Sequence, residues 1–260
     1  TILDHIITDK IKEVELRKTI FPPAYWEQSP LFERETLSMA QPLKESPSGI
    51  IAEHKRRSPS RDIINSSLSV HQVAKGYEIA GVVGISVLTD LKYFGGSLED
   101  LTAARSVCKL PLLRKEFIID EYQIIEAKAH GADVILLIAS VLDRQHIKSL
   151  SETAQSLGLE VLLEVHNKEE LQKALVPTLN MLGVNNRNLK TFNVSLETSK
   201  KLADQIPDEF VKVSESGIGT VASIKALKTY GYQGFLIGEN FMRTKDPGLA
   251  SAELINNLNL

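Results

Sequence analysis

Four things are scarce in this 260-residue chain, and each scarcity removes a class of protein. Cysteine occurs once, at Cys108, so no internal disulfide can form and a disulfide-stapled secreted scaffold is excluded. Long apolar runs are missing: residues 134–139 and 161–163 fall far short of the roughly 20 residues that a membrane-spanning helix needs. Charge of one sign is not in excess. Thirty basic and 33 acidic residues leave a formal net charge of −3, so neither nucleic acid nor an anionic membrane is expected as a partner. Gly-rich phosphate loops are lacking too: neither G-x-G-x-x-G nor G-x-x-x-x-G-K-[ST] follows the first strand-like run, which excludes a dinucleotide fold or a P-loop. None of the six histidines shows metal-ligand spacing such as H-x-x-x-H, so no metal is expected. No basic-then-apolar leader opens the chain, and a cytoplasmic protein is expected.

What is present is a rhythm. Ile2, Leu3, Ile6, Ile7, Ile11 and Val14 recur at helical spacing with charges between them. The polar side of that helix carries acids as well as lysines, so it is expected to pack on its own domain rather than on a membrane surface. Residues 21–48 are poorly periodic, contain five prolines and a short apolar–acidic piece at 31–39, and are expected to lie on the main body. From there, short β-rich apolar runs appear at 49–54, 82–88, 110–113, 134–138, 159–165, 181–184, 210–213 and 235–237. Amphipathic stretches of helical length follow at 71–80, 98–107, 121–130, 144–157, 168–175, 196–205, 221–230 and 247–257. Eight strand–helix pairs predict a (β/α)8 barrel over 49–260, with 1–48 as an N-terminal helical extension of one structural domain and no fused domain after the last helix. Gly81, Gly131, Gly158, Gly231 and Gly234 read as helix stops before strands.

Active sites of such barrels lie at the C-terminal ends of the strands. Side chains alternate faces along a strand, so Glu53 and Lys55 share one face and His54 takes the other; Lys115 pairs in phase with Leu113, and Glu164 with Leu162. Glu53, Lys55, Lys115 and Glu164 can therefore converge above the barrel core, where paired acids and ammoniums move protons; an ion-pair network that only closes the barrel is the bland alternative. Residues 214–218 and Gly238, after the last two strands, are the expected phosphate cradle, with Ser58 as a further hydroxyl. Arg56 and Arg57 read as a solvated charged face, Cys108 as a packed thiol, and His130 as a helix-end imidazolium that complements the dipole.

Ordered motifs make the set recognisable. IAEHKRRSPS at 51–60, SVLTD at 86–90, YFGGS at 93–97, LLRKEFIID at 112–120 and GADVILLI at 131–138 are followed by LEVH at 163–166, GVNNRNL at 183–189, SESGI at 214–218 and LIGE at 236–239. Together they resemble the indole-3-glycerol-phosphate synthase family over nearly the whole chain. That family closes an indole ring on 1-(2-carboxyphenylamino)-1-deoxyribulose 5-phosphate with loss of CO2 and water, without a cofactor. The resemblance implies Lys115 as general acid, Glu164 as the group for later proton transfers, and Lys55 and Glu53 as partners in carboxylate binding and dehydration. It implies Asn185, Arg187, Glu215 and Ser216 as substrate-holding groups, and Phe94 and Leu136 as flanks of the aromatic ring. Ser58, Gly217, Gly238 and the amide of Glu239 would hold the phosphate. Arg61-Asp62 stand where the family often has glycine, and Glu239-Asn240 where relatives often place a serine. The partner is expected to be a small phosphorylated substrate, and the chain a monomer, with a weak dimer as the alternative. Two rivals remain at this point: another phosphate-binding barrel enzyme of the sugar-phosphate isomerase type, and a barrel that binds a phospholigand without turning it over.

Overall fold

The computed structural model describes residues 1–59 and 63–258; the Arg61-Asp62 pair lies outside them. The eight apolar runs form eight parallel strands: β1 (Ile50–His54), β2 (Gly84–Leu88), β3 (Leu112–Lys115), β4 (Val134–Ile138), β5 (Glu160–Val165), β6 (Met181–Asn185), β7 (Val211–Glu215) and β8 (Gly234–Ile237). Each pairs with the next, and β8 closes onto β1 through Ile51–Leu236 and its neighbours, so the chain is a (β/α)8 barrel. β3, β6 and β7 run further than hydropathy predicts. The backbone ladder continues through Leu88–Lys115 and Asn185–Glu215 after the side chains have turned polar. Lys115, Asn185 and Glu215 thus stand on strands, where the ladder fixes their direction. The helices begin where capping side chains permit, with reciprocal boxes at Ser69, Asp120 and Thr220. Gly81, Gly131, Gly158 and Gly231 all take the left-handed conformation expected of helix stops, whereas Gly234 opens β8 instead.

Alternation along the strands splits the core into two shells. Ile51, Leu113, Leu136, Leu162, Met181 and Val213 face the barrel interior. Ala52, Ile85, Val87, Ile135, Leu163 and Val184 face the surrounding helices. His54 belongs to the outer shell, as its parity requires, and is 1% exposed. Neither ring nitrogen has a hydrogen-bond partner among the described residues, and burial, then the nearby Arg56, pushes its pKa down to about 4. Cys108 is buried in the same shell.

The first 48 residues run from the mouth of the barrel to its floor. Helix α1 (Ile2–Ile20) begins at a capping box on Thr1 and Asp4. Its inward stripe is Ile6, Lys10 and Val14, while Ile11 is half exposed, so one lysine sits in an otherwise apolar stripe. Lys10 is 2% exposed and holds Glu13 at 2.8 Å, Asp90 at 3.0 Å and Glu116 at 3.1 Å. Further on, Trp26 donates to Tyr122 and stacks on His130, and Arg34 binds Asp133 at 2.7 Å. Met39 and Leu43 then join the interior shell from below. No helix of the described residues is long and apolar enough to cross a membrane.

Two readings of charge are corrected. Arg56 and Arg57 are not a solvated face. Arg56 grips both carboxylate oxygens of Asp100 and donates to the Gly95 carbonyl at 2.9 Å; Arg57 donates to the carbonyls of Leu91 and Lys92 at 2.7 Å. Both tie the loop after β1 to the loop after β2, because a planar guanidinium can reach the carbonyls of the short helix Leu91–Phe94 and its C-cap Gly95. His130 does end a helix, but burial lowers its pKa, so the neutral ring, bonded through Nδ1 to the Glu126 carbonyl at 2.8 Å, is favoured over an imidazolium.

Removing one member of a buried ion cluster leaves its partners charged and unpaired, which costs roughly 3–5 kcal/mol. Lys10→Met should therefore lower the stability measured by chemical denaturation by about that amount. A change under about 0.5 kcal/mol, the range of an ordinary surface substitution, would show that the cluster carries no weight.

Candidate active site

A cavity of about 360 Å³ opens at the C-terminal ends of the strands. All fourteen site residues named from the sequence line it: Glu53, Lys55, Ser58, Phe94, Lys115, Leu136, Glu164, Asn185, Arg187, Glu215, Ser216, Gly217, Gly238 and Glu239.

At its base lies a cluster of opposite charges. Lys115, 14% exposed, reaches from β3 to Glu164 on β5 at 3.1 Å and to Glu215 on β7 in a shorter contact. Across the mouth Lys55 holds Glu53 at 2.9 Å, and Ser86 donates to the other oxygen of Glu53 at 3.2 Å. Asn185 donates to Glu164 at 3.1 Å and accepts from the Arg187 amide at 2.9 Å. Two glycines make room: a Cβ on Gly183 would meet Glu215 Oε1 at 2.3 Å, and one on Gly238 would meet Glu53 Oε1 at 2.6 Å.

The charges set one another's proton affinities. Burial alone would lower Lys115, but Glu215, Glu164 and Glu53 outweigh it and hold the ammonium above the ordinary lysine range. Burial would raise Glu53 and Glu164, yet Lys55 and Lys115 keep the first low, and Lys115 and His166 keep the second low. Glu215 goes the other way. Burial outweighs Lys115, Glu164 adds repulsion, and the carboxyl is pushed up to about 7. Two carboxylates that share one ammonium thus differ in protonation.

The opposite wall is apolar. Phe94 and Phe117 tilt against each other with centroids 6.0 Å apart, beside Leu88, Leu136 and Ile138. Phe94 sits on a short helix capped by Asp90, which accepts the Tyr93 and Phe94 amides and is itself an ion partner of Lys10. Ile2, Leu3 and Ile6 of α1 complete this wall. At the far end, Ser216 and Gly217 are consecutive left-handed residues, φ +67° and +74°, which curl the chain over the cavity. Such a conformation costs a non-glycine residue roughly 1–3 kcal/mol and recurs where a site demands it. Arg187 lies 3.9 Å from Glu239, which Arg243 also approaches at 3.5 Å; Asn240 donates to the Ile218 carbonyl.

Several of these residues escaped the sequence reading. Ser86 and Phe117 stand within quoted motifs but gave no charge to notice. Ile2, Leu3 and Ile6 were read as a helix face without a destination. His166 closes the LEVH motif, shares the parity of Glu164 two residues before it, and touches that carboxylate with its Nε2 at 3.3 Å.

A carboxyl with a raised folded-state pKa favours folding when protonated, and that contribution fades as pH rises from the usual 4.5 through about 7. Carboxyl ¹³C NMR of the free protein should show Glu215 titrating at about 7. Titration at the ordinary value of 4.5 would overturn the asymmetry between Glu215 and Glu164.

The family model described as indole-3-glycerol phosphate synthase matches residues 3–254. The indole-3-glycerol phosphate synthase of Bacteroides thetaiotaomicron is 46% identical over 247 residues, 95% of each chain. That of Carboxydothermus hydrogenoformans is 41% identical over 263 positions, covering 97% of this chain and 99% of the other. Among solved structures, the tryptophan synthase α-subunit of Pyrococcus furiosus shares the fold, with a TM-score of 0.60 and 12% identity over 82% of this chain and 98% of that one. On its sequence and its barrel, the chain belongs to the indole-3-glycerol phosphate synthase family.

Proposed function

We propose that the cavity converts 1-(2-carboxyphenylamino)-1-deoxyribulose 5-phosphate to indole-3-glycerol phosphate, a step of tryptophan biosynthesis. The observation that carries this reading is the ammonium of Lys115 among three carboxylates, facing a wall of aromatic and aliphatic side chains. The substrate has the matching parts: an aryl ring for the apolar wall, a ketone for the acid, and a phosphate for the Ser216–Gly217 and Gly238 end, with Ser58 and the Glu239 amide beside it.

In this reading Lys115 protonates the ketone oxygen as the ring carbon attacks. An ammonium held this firmly parts with its proton only to a stronger base, and the developing alkoxide is one. CO2 then leaves, returning its bonding electrons to the ring. Glu164, kept ionised, takes the carbon-bound proton as the hydroxyl departs as water. Lys55 and Glu53 bind the substrate carboxylate and support dehydration, Asn185 and Arg187 hold the chain of hydroxyls, and Phe94 and Leu136 sandwich the ring. The site residues supply acid, base and binding groups without calling on a metal.

The same reading takes 1–48 as an extension of the barrel 49–260 in one structural unit, supported by Met39 and Leu43 on the floor and Ile2, Leu3 and Ile6 at the mouth. A cytoplasmic monomer fits a biosynthetic enzyme whose one cysteine is free and buried.

Purified protein in the presence of a chelator should convert the substrate, seen as a rise in indole fluorescence, and Lys115→Ala should lose roughly 10²–10⁴ in kcat while retaining its circular dichroism. Abolition by chelator with recovery on adding zinc would overturn the mechanism, and near wild-type turnover in Lys115→Ala would overturn the assignment of the acid.

A further inference from the structure

The proposed reaction needs two acids and a base. The ketone oxygen takes one proton, and the hydroxyl takes a second as it leaves as water. One carbon-bound hydrogen is given up, and CO2 carries none away. A substrate with an ionised carboxyl group thus draws one net proton per turnover. The site must keep one carboxylate ionised to receive a proton and another carboxyl protonated to give one. Glu164 and Glu215 both contact Lys115, so that ammonium cannot decide between them.

Their other neighbours can. Glu164 Oε1 accepts from Asn185 at 3.1 Å and lies 3.3 Å from His166 Nε2. Glu215 Oε1 is buried without a hydrogen-bond partner among the described residues. The imidazole is itself fixed from behind. Its Nδ1 lies 3.1 Å from Glu170 Oε2, an oxygen that also accepts the His166 backbone N–H at 2.8 Å. Glu170 stands in the first turn of the helix Lys168–Ala174, and its second oxygen accepts from Asn167 at 3.0 Å. Side-chain exposure rises outward along this row, from 6% at Glu164 to 10% at His166 and 15% at Glu170. His166 does not line the cavity, so it acts through Glu164.

We propose that His166, locked by Glu170, is the positioning residue that makes Glu164 the ionised base and leaves the exchangeable proton on Glu215. This inference rests on the reaction proposed above. The charged groups facing the ring are Glu164 on the preceding strand β5 and Glu170 on the following helix; Lys115 on β3 and Glu215 on β7 stand beyond Glu164. Burial would lower the imidazole, but the two carboxylates outweigh it and push it up to about 10, so it is a cation throughout the neutral range. A cation beside Glu164 and none beside the free oxygen of Glu215 separates the two carboxyls, the arrangement that assigns base and acid within a pair.

The test is the pair of variants His166→Gln and Glu170→Gln, read by pH profile and by carboxyl ¹³C NMR. In His166→Gln the acid limb of kcat, which Glu164 carries, should move up by about one pH unit, with kcat lost only at pH values on that limb and KM within about twofold. Glu170→Gln should move the limb in the same direction by less, and His166→Arg, which keeps a fixed charge, should leave it in place. In His166→Gln the NMR titration of Glu164 should rise and that of Glu215 fall. A uniform loss of kcat at every pH, with both carboxyl titrations unmoved, would overturn the inference and leave His166 a packing residue. Absence of turnover in the wild type would instead refute the proposed reaction, and the carboxyl titrations would still decide the role of His166.

Discussion

The ammonium of Lys115 is the constraint on which the rest of this site turns. A lysine this far from water is costly unless several acceptors surround it, and Glu164, Glu215 and Glu53 do so from three different strands. The barrel makes that possible. Parallel strands bring their C-terminal ends to one rim, and alternation sends every second side chain inward. Carboxylates supplied by β1, β5 and β7 meet a lysine from β3 with no loop involved.

β3 ties this inner cluster to an outer one. Arg114 points outward to Glu126 at 3.2 Å, Lys115 points inward, and Glu116 points outward again to Lys10. Lys10 also holds Asp90, the cap of the short helix that carries Phe94. One buried ammonium therefore orders the acid–base floor, and a second orders the aromatic wall and the first helix above it. Two ion clusters, one about Lys115 and one about Lys10, share one strand end. Such clusters gain little stability over an apolar core, but they fix direction, and direction is what proton transfer requires.

The barrel was legible because strand and helix periods alternate eight times, and the four converging charges were legible because parity is strict on a strand. Hydropathy misplaced the ends of β3, β6 and β7, since it falls where side chains become polar although the backbone ladder continues. Arg56 and Arg57 misled for a related reason: a run of charges looks solvated until the carbonyls and carboxylate it meets, from residues more than 30 positions away, are known. Lys10 breaks an apolar stripe, a sign of a buried ion pair, but two of its three partners lie about 80 and 106 positions further on. His166 was hidden by its own motif, in which Glu164 drew the attention and Glu170, four residues later, looked like a helix-start acid.

The most direct measurement is the titration of the Lys115 amine by ¹⁵N NMR in the free protein. If carboxylates outweigh burial, the nitrogen stays an ammonium past pH 10.5, the ordinary lysine value. Loss of its proton near neutrality would mean that burial wins, and the account of the site as an always-charged acid among three carboxylates would fail.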